Sequence, residues 1–327
     1  MRILFTGASS FTGFWFVREL AAAGHEIVMI FQRELEQYEG LRRSRIDRLL
    51  ELSRPVFNCR FGDERFMEII ERESDWDLLC HHAAEASDYK SPDFDVAAAV
   101  RSNTLNLRGV LAALIANGCR KVLLTGSVFE NGEGAGSDEL RAFSPYGLSK
   151  AFTAQMFAYH TQLQGARLGK LVIPNPFGPY EEPRFLSYLM RSWLEGRTPA
   201  VNTPEYVRDN IHVSLLSRAY VDFAAALPAT PGFQRINPSG YVESQGTFAL
   251  RVAEQMRDRL GLPCDVLLKP QTDFAEPRIR INTDPLDAAQ LAWDEKRAWD
   301  ELAEYYERSA TAELTPSHAA NVAPVRD

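Results

Sequence analysis

Hydrophobic positions in the first half of the chain follow two rhythms that take turns. RILFTG from Arg2, HEIVMIF from His25, VFNCRFGD from Val56, WDLLCHHAA from Trp76 and KVLLTGS from Lys121 are brief apolar runs. They are too short for helices and predict strands buried on both faces. Longer stretches with helical spacing separate them: GFWFVRELAAAG, a polar segment reaching Leu52, RFMEIIERE and VAAAVRSNTLNLRGVLAALIANG. The rhythm continues with a helix, YGLSKAFTAQMFAYHTQL, and a strand, GKLVIPN. Strict alternation of this kind predicts an α/β fold with a doubly wound parallel sheet of Rossmann type.

After Asn175 the rhythm breaks into Pro- and aromatic-rich segments, IPNPFGPYEEPRF and RTPAVNTPEY. We expect a smaller mixed α/β substrate lobe there. The expected division is 1–175 and 209–240 for the dinucleotide-binding domain, and 176–208 and 241–307 for the lobe. Residues 308–327, small and polar without periodicity, are expected to be a disordered tail.

Composition narrows the partners. The net charge of −8 argues against nucleic acid or a membrane surface held by bulk electrostatics. Anionic ligands must then be held by local arginines or helix N-termini. Cys59, Cys80, Cys119 and Cys264 stand far apart with no metal-ligand spacing, so reduced thiols, no metal and a cytoplasmic protein are expected. The opening MRILFTG is a short strand running into a glycine, so no signal peptide is expected, and no apolar run approaches the roughly 18 residues of a membrane span.

Candidate chemistry begins in TGASSFTG. Gly7 and Gly13 frame a turn after the first strand, and the helix that follows would aim its N-terminus at a pyrophosphate. Ser10 stands where a middle glycine is usual, flanked by Ser9, Phe11 and Thr12. A plain βα turn is the competing reading. The second strand ends in IFQRE, with no acid at its tip to accept from a ribose; Arg33 suits a 2′-phosphate. NADP(H) is therefore favoured over NAD(H), unless Arg33, like Arg42 and Arg43, belongs to a solvated helix face.

Tyr146 and Lys150 in SPYGLSK are four apart and share a helix face. An ammonium beside a phenol would stabilise the phenolate and draw its pKa down from about 10 toward a useful range. Thr125 or Ser127, at the end of KVLLTGS, would supply a hydroxyl to the reacting oxygen.

Together these motifs resemble the extended short-chain dehydrogenase/reductases, in the branch of nucleotide-sugar epimerases, dehydratases and reductases. The likeness runs from residue 2 to about 306 and includes Gly62–Asp63, HHAA at His81–Ala84, SNT around Asn103, IPNPFGP and RDNIHV. It implies that Asp63 contacts adenine, that Ala83 and Ala84 line the cofactor's path with Asn103 beside it, and that Lys150 also holds the nicotinamide ribose. Asp63 as a helix cap and Asn103 as a helix pin are the structural alternatives. Counting back from VFE, the counterpart of the family's VYG, puts Thr125 at the catalytic position, with Ser127 assisting.

On the substrate side the resemblance implies that Arg208 and Asn175 bind a diphosphate and that Arg278 or Arg280 closes over the nucleotide; surface ion pairs are the alternative. Phe177, Tyr180 and Phe185 flank the sugar or pack the core. Glu85 is either a second acid/base or structural. Gly126 and Ser127 replace the acid that dehydratases carry after the threonine, and Glu130, where a glycine is usual, has no assigned role. The expectation is an NAD(P)-dependent nucleotide-sugar 4-keto-reductase or C4 epimerase, homodimeric through the apolar faces of its two long helices. A 4,6-dehydratase and a non-catalytic NADP(H)-binding sensor are the alternatives.

Overall fold

The computed structural model describes residues 1–314. Five of the six anticipated strands form, as Arg2–Thr6, Glu26–Ile30, Leu78–His81, Lys121–Ser127 and Arg167–Ile173; the one expected in Val56–Asp63 forms earlier, as Arg54–Val56. A seventh, Gly232–Ile236, pairs with Arg167–Ile173 at the sheet edge. Its GFQRI is largely exposed and carries no run of buried positions, so apolar patterning does not announce it. All seven strands are parallel.

Strand order reverses beside Arg2–Thr6, which lies between Glu26–Ile30 and Leu78–His81. Ligands of such sheets bind where the order reverses, outside the carboxyl ends of the strands. Neighbouring residues on one strand serve opposite layers: Leu123 joins a core with Phe16 and Tyr220, Leu124 one with Phe66 and Phe157.

A smaller sheet combines Tyr241–Ser244, Val207–His212, Ile279–Ile281 and Ala135–Gly136, with Asn175–Phe177 pairing on Val207–His212. Behind it a third core gathers Phe177, Met190, Phe248 and Trp299. The chain returns to the large domain with the helix Val213–Ala226, four residues after the expected 209, because Val207–His212 belongs to the smaller sheet.

Two expectations need correction. The long apolar stretch from Val96 is two helices, Val96–Asn103 and Leu107–Ala116, parted by Asn106 in the left-handed region at φ 48°. The break lets the Leu105 carbonyl crowd Gly62, where a side chain would meet it. The tail expected from 308 is helical at its start, since Glu295–Leu314 continues through it and the Ser309 hydroxyl donates back to the Tyr305 carbonyl at 2.8 Å. The rest of that segment lies outside the described residues. Among the described residues no helix is long and apolar enough to cross a membrane, no cluster could hold a metal ion, and the four cysteines are buried and unpaired.

Candidate active site

The opening loop has the shape its glycines require. Gly7 sits at φ 88° so close to Ala83 that a Cβ would lie 2.6 Å from the Ala83 nitrogen. A Cβ on Gly13 would run into the Gly7 carbonyl oxygen. Ser10 N-caps the helix Phe11–Ala22: its Oγ accepts from the Gly13 N–H at 3.1 Å and donates to the Gly7 carbonyl at 2.9 Å. The loop keeps its turn without the middle glycine because the serine satisfies an N-terminal amide itself. The Ser9 carbonyl is held by Arg45, a fully buried arginine that also grips the Tyr180 carbonyl and Glu182. Phe11 and Thr12 are buried in the helix's first turn.

Beside the loop lies a cleft of about 240 Å³, lined among others by Gln32, Arg60, Ala83, Ala84, Arg101 and Asn103. Arg33 is exposed and stands outside this lining. Asp63 caps the helix Glu64–Arg72, one oxygen accepting from the Phe66 N–H at 2.8 Å and the other from the Arg60 N–H at 2.7 Å. Asn103 pins: its Oδ1 accepts from the Glu85 N–H at 2.8 Å and its Nδ2 donates to Thr153 at 3.2 Å. For both residues the structural reading is realised.

At the carboxyl end of Lys121–Ser127 the catalytic candidates meet, but not in the expected pairing. The buried Lys150 ammonium donates to the Thr125 carbonyl at 2.6 Å. No hydrogen bond joins it to the Tyr146 phenol among the described residues. Burial pushes that phenol up to about 12, the Glu130 carboxylate adding to the rise and Arg184 opposing it. Burial also draws Lys150 down to about 8, with Glu130 opposing and Lys170 assisting. The acidified phenol read from the i, i+4 spacing is thus corrected. The spacing puts both residues on one helix face, but desolvation and a neighbouring carboxylate decide the phenol's proton. Tyr89 and Phe94 pack their ring edges on Tyr146 at 5.7 and 6.1 Å between centroids.

Glu130, without a role in the sequence reading, is almost wholly buried. It accepts from the Lys170 ammonium at 2.5 Å and from the Ser127 N–H at 2.7 Å, and Lys170 reaches Glu133 at 2.8 Å. Gly126 is what admits this cluster, since a Cβ there would lie 2.5 Å from the Lys170 Cε. The Ser127 hydroxyl accepts from the Phe129 N–H at 3.2 Å.

His82 was also missed as a site residue. Its Nδ1 lies 2.9 Å from the Thr125 hydroxyl, and its Nε2 lies 2.9 Å from Ser10 Oγ and 3.1 Å from Thr12 Oγ1. The only signal was polar residues at 10, 12 and 82, three positions that no local pattern connects.

The arginines divide. Arg280 is buried, donating to the Val128 carbonyl at 3.0 Å and the Glu130 carbonyl at 2.5 Å; burial lowers its pKa. It braces the loop after the threonine strand and does not reach outward, which corrects its expected closure over a nucleotide. Arg208 pairs with Glu276 at 2.9 Å and donates to the Pro277 carbonyl at 3.1 Å. Arg278 is exposed beside Glu205 at 3.2 Å. Asn175 pairs with Asn210 in the smaller sheet. Phe177 is core, Phe185 is half-buried against that core, and Tyr180 packs on Phe14 and Tyr305. Burial opposes ionisation of Glu85, but hydrogen bonds from Ser87 and Ala86 and the charge of Arg60 hold its carboxyl below the usual value. It is an anion at neutral pH and has no proton to give. Arg184, not singled out in the sequence, is exposed, near Tyr89 and close enough to Tyr146 to bear on its phenol.

Solved structures share this fold across nearly the whole chain. The UDP-glucose 4-epimerase of Thermotoga maritima, crystallised with UDP-glucose, superposes with a TM-score of 0.69 at 20% identity, covering 95% of this chain and 100% of that one. The UDP-glucuronic acid 4-epimerase of Bacillus cereus, with UDP-glucuronic acid and NAD, gives 0.70 at 16%, covering 94% and 100%. The UDP-glucose-4-epimerase of Stenotrophomonas maltophila, with NAD and formylated UDP-arabinopyranose, gives 0.71 at 20%, covering 95% and 99%. No curated protein sequence matches the chain. The family model of the NAD dependent epimerase/dehydratase family matches residues 3–237. With the glycine turn, the reversal in strand order and Lys150 bonded to the Thr125 carbonyl at the sheet's carboxyl edge, that match over more than half its length makes this chain a member of the NAD dependent epimerase/dehydratase family.

Proposed function

We propose that the protein is an NAD(P)-dependent oxidoreductase of nucleotide sugars that acts at a C4 carbonyl or hydroxyl, with Thr125, Tyr146 and Lys150 as its reacting residues. The observation that carries this reading is the bond from Lys150 to the Thr125 carbonyl, one helical turn from Tyr146 at the ligand-binding edge of the sheet. The residues fit a dinucleotide. The Gly7–Gly13 loop and its helix N-terminus would hold the diphosphate, the cleft by Ala83 and Ala84 the adenosine end, and Lys150 the nicotinamide ribose. When bound, the cofactor supplies or takes the hydride.

A phenol held near 12 keeps its proton at neutral pH. A neutral Tyr146 can give a proton to a ketone oxygen, the step with which a 4-keto-sugar reductase begins. The epimerase must first take a proton from a hydroxyl, so it needs further positive charge in the site. It remains the second reading because the fold neighbours are named 4-epimerases. Water elimination is disfavoured, since Gly126 offers no acid and Glu130 beside it is engaged by Lys170.

An NADP(H) preference is supported by Arg60 and Arg101 at the cleft in place of Arg33. A homodimer is supported by Phe152, Met156, Tyr159 and Leu163, an exposed apolar stripe along Pro145–Leu163. A nucleotide diphosphate would have to draw Arg208 from Glu276, with Arg278 close by.

The test has two parts. Mass spectrometry of the denatured protein identifies retained cofactor and nucleotide sugar. Turnover of a nucleotide-sugar panel by Tyr146→Phe is expected to fall roughly 10²- to 10⁴-fold. Undiminished turnover would remove Tyr146 as the acid.

A further inference from the structure

We propose that His82 is a positioning residue whose imidazole ties the Ser10 hydroxyl of the cofactor loop to the Thr125 hydroxyl and so fixes which way Thr125 points its proton. The proposal rests on the reading of Thr125 as the residue that meets the substrate oxygen.

The protons can be counted. Ser10 has one hydroxyl proton and gives it to the Gly7 carbonyl at 2.9 Å, while its oxygen accepts from the Gly13 N–H. What Ser10 turns to His82 Nε2, at 2.9 Å, is a lone pair. Nε2 therefore carries a proton, which Thr12 Oγ1 at 3.1 Å shares. Burial and the charge of Lys150 keep the imidazole neutral, with its pKa drawn down to about 3, so it has only that one proton. Nδ1 is then an acceptor, and the hydroxyl 2.9 Å away, that of Thr125, must donate to it.

The consequence is chemical. With its proton committed to His82, Thr125 offers other groups only lone pairs, one of them toward the buried Tyr220 phenol beside it. It recognises a hydroxyl and not a ketone: the alcohol product of a reduction, or the alcohol that an epimerase first oxidises. Tyr146 is left as the donor to a ketone oxygen. Ser10 thereby gains a purpose beyond capping its helix, because the loop that would hold the cofactor also sets the histidine tautomer.

Two measurements test this. In ¹⁵N-labelled protein, the His82 ring is expected to be neutral and protonated at Nε2 from pH 8 to pH 5, with its Nδ1 resonance shifted by Thr125→Val. A ring protonated at Nδ1, an imidazolium in that range, or an Nδ1 signal indifferent to Thr125→Val overturns the proposal. The second measurement is kcat and KM on the nucleotide-sugar panel. Asparagine keeps an acceptor near the Nδ1 position, glutamine a donor near Nε2, and leucine neither. In the direction that starts from the alcohol, His82→Asn is expected within about threefold of wild-type kcat, and His82→Gln and His82→Leu about 10- to 100-fold lower with the cofactor KM little changed. Wild-type kcat in His82→Leu, or losses that follow urea stability and not the Asn/Gln difference, would overturn it. If the wild-type protein turns over no nucleotide sugar, the functional reading fails, and the tautomer still decides the role of His82.

Discussion

Lys170→Met is the most informative change to the fold beneath the site. The ammonium joins two carboxylates, Glu130 at 2.5 Å and Glu133 at 2.8 Å, and all three side chains are nearly excluded from solvent. Methionine fills similar volume but leaves both carboxylates without their shared cation. Glu133 keeps Asn237 at 3.1 Å and Arg235 at 3.3 Å; among the described residues Glu130 keeps only the Ser127 N–H as a side-chain partner. Breaking a buried pair from one side costs about 3–5 kcal/mol, and we expect Lys170→Met in that range. Glu130→Gln leaves Lys170 with Glu133 and keeps an acceptor for Ser127, so its cost should be smaller, about 1–3 kcal/mol. The double variant removes a matched pair and should cost less than the sum, by about 0.5–3 kcal/mol. Urea unfolding followed by tryptophan fluorescence and far-ultraviolet circular dichroism gives the values, provided the two probes coincide. A Lys170→Met within about 1 kcal/mol of wild type, or one more stable than Glu130→Gln, would refute the argument. The carboxylate also raises the Tyr146 phenol, so Glu130→Gln should move the alkaline limb of the kcat profile to lower pH.

Three further outcomes are expected. His81, His82 and His212 are held neutral, each drawn down to about 3 from 6.5 by burial, so the unfolded chain binds more protons between those values. Stability should fall as pH drops below 6.5. Glu181, pushed up to about 8 from 4.5 by burial, acts in the opposite sense, with stability lost as pH rises through that window. Urea midpoints against pH check both, and Glu181→Gln should flatten the upper slope. Replacing Tyr159 with Arg and Leu163 with Glu should give a monomer by sedimentation at micromolar concentration; a monomeric wild type would refute the interface. Arg60→Ala or Arg101→Ala should raise the KM for NADPH about tenfold or more and leave that for NADH unchanged, as loss of a charged hydrogen bond implies. The same effect from Arg33→Ala alone would return the assignment to the strand tip.

Much of the scaffold was legible because it is local. Apolar runs of strand length named five of the seven strands and lay beside a sixth, and the glycines at 7 and 13 named the turn. The split of the helix from Val96 was not legible, because Asn106 reverses its backbone where Leu105 meets Gly62, far off in sequence. Thr125, Tyr146 and Lys150 were found by spacing and order, but their electrostatics were not. Helical periodicity says which side chains share a face, not what else is buried against them. Arg280 shows the same gap: a strand residue among charged neighbours looks free in sequence and is buried beneath the threonine loop in space.

By itself the sequence determined the order of strands and helices, the turn that opens the chain, and the spacing that brings Tyr146 and Lys150 to one face. All of these follow from backbone geometry over a few residues. Tertiary structure decided where the protons and charges sit. Lys150 turns to a carbonyl 25 residues away, Glu130 to a lysine 40 away, and Ser10 to a histidine 72 away. Solvation and hydrogen-bond partners depend on the segments that close around a group, and the fold brings those together from distant parts of the chain.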